Sequence, residues 1–228
     1  MKIITIIPAR GGSTEIKMKN LVILNKKPLL YYSVTASLKS KLVNRTIVST
    51  DNEKIAKYAK KIGSEVIHRP KKLSGNIIGL YPAILHVLNY LKKNENYEPD
   101  LVVTLQNTSP FRNHKHIDDA ISLLQKKSYD TVISGFNSKY LLWKNNKKTM
   151  TPVNYNPLKR PRRQEMKQYF IENGAIYVTN YSSLQKSNSY VCGKVGLYEM
   201  PQRLSLEVDS QFDFFLAGQI FKSKENLL

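Results

Sequence analysis

Cysteine occurs once in the 228 residues, at Cys192. A single thiol excludes an intrachain disulfide and a thiolate metal cluster, and it fits a reducing compartment. With no histidine or acid beside it in sequence, Cys192 also lacks the partners of an activated nucleophile. Long apolar runs are missing as well. None approaches the ~20 residues of a transmembrane helix, and the opening KIITIIPAR is broken by Pro8 and Arg10 too soon for a signal peptide. The expectation is a cytoplasmic protein with no membrane attachment. Two common nucleotide fingerprints are absent: there is no GxxxxGKS or GxxxxGKT loop and no GxGxxG opening a helix. An ordinary P-loop NTPase and an NAD enzyme are thereby disfavoured. No internal repeat or low-complexity linker is present.

Acidic side chains are the last scarcity: 17 Asp and Glu stand against 36 Lys and Arg, a formal net charge of +19. Three readings compete for that charge: a nucleic-acid surface, a small polyphosphate substrate, or solvated helix faces carrying lysines such as Lys57, Lys60, Lys61, Lys126 and Lys127. No recognition fold for nucleic acid can be identified, so a nucleic-acid partner is not expected.

What is present is ordinary globular material, 41% hydrophobic and 23% charged. A chain of this length buries roughly 70 to 75% of its unfolded surface as one large domain. Period and punctuation alternate regularly. Strands are expected at 3–7, at RTIVST (45–50), EVIHR (65–69), LVVTLQ (101–106), DTVISGF (130–136), GAIYVTN (174–180) and KVGLYEM (194–200). Helices are expected at 29–41, at 52–63 with Gly63 as the stop, at 79–93 with Pro82 in the first turn, at 116–127, and at 210–224 capped by Ser210. Strands alternating with helices define an α/β fold, a doubly wound, mostly parallel sheet covered on both faces. The whole chain, 1–228, reads as one domain. Between 137 and 167 the alternation fails: nine Lys and Arg accompany the single acid Glu165, with Trp143 and three prolines. That stretch reads as a basic arm leaving the sheet.

In such sheets ligands bind beyond the carboxyl ends of the strands. The residues there form a coherent set: Arg10, Gly11, Gly12, Ser13 and Lys19 after the first strand; Ser49, Thr50 and Asp51 after the second; Gln106, Thr108, Ser109 and Arg112 after LVVTLQ. Glycines let a backbone approach phosphate oxygens, and Arg and Lys neutralise their charge.

The segments IIPARGGS, then IKMKN, HRP, LQNTSPFR, ENGAIYV and EVDSQFDF occur in order along the chain. Together they resemble the motifs of the CMP-N-acylneuraminate synthetases, cytidylyltransferases that activate acidic nine-carbon sugars, and the likeness covers nearly the full length. The resemblance implies a Rossmann-like nucleotidyltransferase that uses CTP, Mg²⁺ and a nonulosonic acid and works as a homodimer. It assigns the triphosphate to Arg10, Gly11, Gly12, Ser13 and Lys19, with Asn20 toward the nucleotide and Arg69 beside the cytosine. Gln106 and Tyr177 would face the sugar acid, with Ser109 a further candidate there, and Glu207 and Asp209, two apart on an apparent strand, would hold the metal. Arg10, Lys19 and Asp209 are the candidate catalytic residues; no residue presents itself as a general base. The arm at 137–167 would form the dimer interface, and Arg163 would contact the partner's substrate carboxylate.

Departures from the family pattern accompany the matches. Thr14 and Glu15 replace a lysine and a glycine, and an acid there repels a triphosphate by about 1 kcal/mol or more. Lys17 is the residue expected to compensate. Asn107 replaces a proline, Asn76 and Ile77-Ile78 stand where Asp-Thr is common, and Glu207 reaches further than aspartate. A non-catalytic relative that binds nucleotide or sugar is the alternative these departures motivate.

Overall fold

The computed structural model describes residues 1–13, 15–75 and 77–223; Thr14 and Asn76 lie outside them. The chain runs β1 (Ile3–Pro8), β2 (Ile23–Leu24), β3 (Lys27–Pro28), α1 (Leu29–Leu38), β4 (Arg45–Thr50), α2 (Glu53–Lys61), β5 (Glu65–His68), α3 (Leu80–Glu95) and β6 (Leu101–Thr104). It continues through α4 (His114–Lys127), β7 (Thr131–Ser138), β8 (Trp143–Asn145), β9 (Met150–Pro152), β10 (Tyr169–Asn180), α5 (Tyr181–Lys186), β11 (Val195–Glu199) and α6 (Gln211–Lys222).

Seven strands form one sheet in the order β11-β7-β10-β6-β1-β4-β5. Only β10 runs against its neighbours, so the sheet is mostly parallel, as the alternation requires. Both faces are covered. Along β1, Ile3 and Ile7 face the core beneath α1 and α4, while Ile4 and Ile6 face the core beneath α3. That two-sided burial is why the strand reads as a continuous apolar run rather than an alternating one.

The helix ends follow local chemistry. Asn52 caps α2 by accepting from the amides of Lys54 and Ile55, and Gly63, at φ 97°, follows the helix in the left-handed region. Ser210 caps α6 reciprocally with Asp213. Pro82 sits in the first turn of α3, where its missing N–H costs nothing.

Two expectations need correcting. β10 begins at Tyr169, five residues before Gly174, because Gly174 (φ 60°) lies in a bulge of a continuing strand rather than at its start. The segment around Glu207 and Asp209 joins no sheet; Val208 N–H to the Thr108 carbonyl at 2.7 Å and the Lys19 ammonium on the Val208 carbonyl and Asp209 hold it. The basic arm contains a small hairpin of β8 and β9, with Trp143 edge-on to Tyr155.

Candidate active site

A cleft of about 400 Å³ opens beyond the carboxyl ends of β1 and β6. The loop leaving β1 supplies Arg10, Ser13, Glu15, Lys19 and Asn20; the turn after β5 supplies Arg69; the segment leading into α3 supplies Leu73, Gly75, Ile78, Gly79 and Leu80. Gln106, Asn107 and Thr108 follow β6, and Asp209 closes the far side. Eight of the candidate ligand residues singled out from sequence therefore meet in one place: Arg10, Ser13, Lys19, Asn20, Arg69, Gln106, Thr108 and Asp209.

The cationic wall is held by backbone acceptors and one acid. Arg10 Nη1 donates to the Gly75 carbonyl at 2.9 Å, and Lys19 Nζ reaches Asp209 Oδ1 at 2.9 Å and the Val208 carbonyl at 3.2 Å. Arg69 is only 7% exposed and its Nε has no hydrogen-bond partner. Burial pulls its pKa below the ordinary arginine range, Asp51 opposes that and Arg10 adds to it. A guanidinium desolvated in this way gains from any acceptor that enters the cleft. Beside it, Leu73, Ile78 and Leu80 make an apolar surface that suits a flat base.

The acidic wall comes from distant sequence; of its residues Asp209 alone lines the cleft, and Glu172, Tyr177 and Glu207 do not. Tyr177 Oη donates to Glu172 and accepts from Gln106 Nε2 at 3.2 Å. Burial foremost, and then the bond to Glu172, raise the tyrosine's pKa, so it stays protonated. Glu207 packs against the open side of Gly174: a Cβ there would stand 2.8 Å from Glu207 Oε2 and 3.3 Å from Gln106 Nε2. Burial, reinforced by the charges of Asp209 and Glu172, pushes the Glu207 carboxyl up to about 7. Among the described residues no group of three or more His, Cys, Asp or Glu could hold a metal. The Glu207–Asp209 pair offers oxygen donors only, crowded by Glu172 and Asp213. That donor set fits Mg²⁺, which takes one or two carboxylates and completes its octahedron with water and phosphate.

Several candidates occupy places other than those expected. The Gly11 amide is committed to Asp51 Oδ1 at 2.9 Å, and Gly12 stands in open space. Lys17 is exposed and does not line the cleft, whereas Glu15 does. Ser109 is fully buried and donates to the Asn173 carbonyl at 3.0 Å. Tyr177 is 2% exposed, behind Gln106 rather than at an open wall. Arg112 is a strut, not an anion ligand: Nε donates to the Ala175 carbonyl at 3.0 Å, and Nη2 to Ser33 Oγ at 2.8 Å and the Gln106 carbonyl at 2.5 Å. Its pKa falls to about 9 through burial, which leaves it charged at neutral pH. Arg163 lies apart from the cleft, on a second, open depression with Lys139, Gln164 and Gln202.

Sequence reasoning missed Asn173. Its Oδ1 accepts from Ser134 Oγ at 2.7 Å and its Nδ2 donates to Ser205 Oγ at 2.9 Å, so it ties β10 to β7 and to the acidic segment. The signal was present in ENGAIYV, but an Asn-Gly pair reads first as a turn.

A doubly wound sheet with a cationic, glycine-bearing loop at the end of its first strand defines a nucleotide-binding α/β protein of the nucleotidyltransferase class. The chain belongs to the cytidylyltransferase family, whose model matches residues 4–225. It is 33% identical to N-acylneuraminate cytidylyltransferase A of Danio rerio over 94% of its own length and 49% of that protein. It is 32% identical to N-acylneuraminate cytidylyltransferase of Escherichia coli O18:K1:H7 over 98% of its length and 53% of that protein. The chain thus spans about half the length of the curated relatives it matches. Among solved structures, CMP:2-keto-3-deoxy-manno-octonic acid synthetase complexed with CTP superposes with a TM-score of 0.73 over 99% of this chain and all of that one, at 15% identity. That likeness carries the fold alone.

Proposed function

We propose that the chain transfers CMP from CTP to the anomeric hydroxyl of a sialic-type nonulosonic acid and releases pyrophosphate. One observation carries this reading: a single cleft places Arg10, Lys19 and the underpaired Arg69 opposite Asp209, in a cytidylyltransferase fold. The names of the Danio rerio and Escherichia coli relatives support the acceptor class.

In the reaction the anomeric oxygen forms a bond to the α-phosphorus, its proton leaves, and the bond from the α-phosphorus to the pyrophosphate oxygen breaks. Negative charge grows on the leaving oxygens. Arg10 and Lys19 are the groups on this chain that stabilise it, and Lys19 exchanges its bond to Asp209 for phosphate as it does so. Arg69, with Leu73, Ile78 and Leu80, holds the base. Gln106, oriented by Tyr177, faces the sugar acid. Glu207 and Asp209 are the residues that would hold Mg²⁺, which would supply Lewis-acid neutralisation of phosphate charge.

The arm at 137–167 is the dimer contact in this reading. Its exposed Leu142, Trp143, Met150 and Val153 are apolar side chains that a second copy would cover. Arg163, remote from the cleft of its own chain, then serves the partner's sugar site. The single thiol and a CTP substrate fit a cytoplasmic enzyme; no helix among the described residues is long and apolar enough to cross a membrane.

Pyrophosphate release, followed with Mg²⁺ across the four nucleoside triphosphates and a panel of nonulosonic acids, tests the proposal. Release with CTP and one or more of the acids is expected. CTP binding without release across the panel would favour a binding relative, a reading that Glu15 in the cleft gives some ground for.

A further inference from the structure

We infer that Asn107 is a positioning residue that holds the β1 loop in its nucleotide-binding conformation, acting through Asn20. The inference rests on reading that loop as the triphosphate site. Asn107 lies just beyond β6, next to β1 in the sheet, and is 4% exposed. Its Nδ2 donates to the Pro8 carbonyl at 3.3 Å, where the loop leaves the sheet, and to Asn20 Oδ1 at 2.9 Å, where the loop ends. Asn20 Nδ2 in turn donates to the Arg10 carbonyl at 2.9 Å. Two side-chain amides in series therefore close the loop from stem to stem and fix the backbone of the arginine that faces the cleft.

The other ties of the loop differ in kind. Arg10 Nη1 to Gly75 and Lys19 Nζ to Asp209 are made by the cations that a triphosphate would engage, so binding would release them. The ties through Asn107 end on the carbonyls of Pro8 and Arg10, acceptors that a phosphate does not engage. They persist in the bound state, and they are what can hold the loop while the cations change partners. A packing role does not account for the amide. Asn107 Oδ1 is buried with no partner, a desolvation penalty that an apolar side chain in that place would avoid. The donor end is the part in use. The direction of the chain is also set: Asn20 spends its own donor on Arg10, so position 107 must donate. An aspartate there keeps the volume and loses the function.

The test uses the full chain with Asn107→Ala, Asn107→Asp, Asn20→Ala and the Asn107→Ala/Asn20→Ala double variant. Three readouts are taken: CTP affinity by calorimetry, amide hydrogen exchange in the free protein, and KM for CTP against KM for the sugar acid. Asn107→Ala is expected to weaken CTP by about ten-fold and to speed exchange at residues 10–20 while β1 and β6 stay protected. KM for CTP should rise while KM for the sugar acid moves by less than about two-fold. Asn107→Asp should share these effects, and the double variant should bind CTP no more than about two-fold weaker than Asn20→Ala alone. Unchanged exchange in the loop would overturn the inference, as would independent, multiplying losses in the double variant. Faster exchange throughout the sheet would overturn it too, by showing a general packing role. The exchange measurement needs no nucleotide, so it decides the inference even if the wild-type protein proves not to turn over CTP.

Discussion

The two walls of the cleft hold opposite charges under the same constraint. On the cationic side Arg69 is desolvated and short of a partner; on the acidic side Glu207 is desolvated and crowded by other carboxylates. The walls differ in origin. Arg10, Lys19 and Arg69 come from the first third of the chain; Arg10 and Arg69 directly follow β1 and β5, so the sheet aims them, and Lys19 stands at the far end of the β1 loop. Glu172, Tyr177, Glu207 and Asp209 come from the last third, on a bulged strand and an unpaired segment. The β10 ladder places Glu172 and Tyr177, whereas Glu207 and Asp209 have no ladder and depend on bonds to neighbouring loops, with Asn173 tied to Ser205 just before them. A parallel sheet can deliver cations to a phosphate by topology alone, whereas this acidic wall needs a polar network to hold it. The links between the walls include Lys19 to Asp209, Gln106 to Tyr177, Val208 to the Thr108 carbonyl, Ser109 to Asn173, and Arg112, which bonds the Gln106 carbonyl on one side and the Ala175 carbonyl on the other.

The comparison can be broken most severely at Asp209. Asp209→Ala removes a proposed metal ligand and the partner of Lys19, and kcat measured by pyrophosphate release should fall by about a hundred-fold or more; near wild-type turnover would place the metal elsewhere. Arg112→Met cuts the strut between the walls: it takes the guanidinium from the buried Ala175 carbonyl and leaves the Gln106 carbonyl with only the long bond from the Ser109 amide, 3.5 Å. Denaturant unfolding should show a loss of about 3 kcal/mol, and an unchanged midpoint would mean those carbonyls find other donors. Arg69→Ala tests the cationic wall alone. CTP affinity should drop by about 30-fold, roughly 2 kcal/mol for a charged hydrogen bond, with a much smaller effect on the sugar acid. The smallest change sharpens the comparison instead of breaking it. Glu15→Gly takes an acid off the cationic wall and should tighten CTP binding by about five-fold, roughly 1 kcal/mol. Weaker binding would show that Glu15 has a structural task.

The same division decides what was legible in the sequence. β4 falls on RTIVST residue for residue, and β1, β6 and α2 depart from expectation only at their ends, because buried runs and a strong N-cap mark them. Arg10 could be read because it follows directly on β1, whereas Arg69 came from the likeness of HRP to a family motif. β10 was harder, since Gly174 looks like a boundary and is in fact a bulge residue inside the strand. The acidic segment looked like a strand because Glu207 and Asp209 flank the buried Val208; the alternation is real, but there is no ladder partner. Ser109, Tyr177 and Arg112 show a further limit. A polar residue near a strand end can face the cleft or turn inward to hold it, and composition does not distinguish the two directions. Burial separates them at once: these three point inward, and Arg10 and Lys19 face the cleft.

The most direct test of the central claim, that the loop after β1 holds a nucleoside triphosphate, is equilibrium binding of CTP to the wild-type chain and to Arg10→Ala. Saturable one-to-one binding that weakens by about ten-fold or more in the variant is predicted. An affinity unchanged by the substitution, or no CTP binding at all, would contradict it.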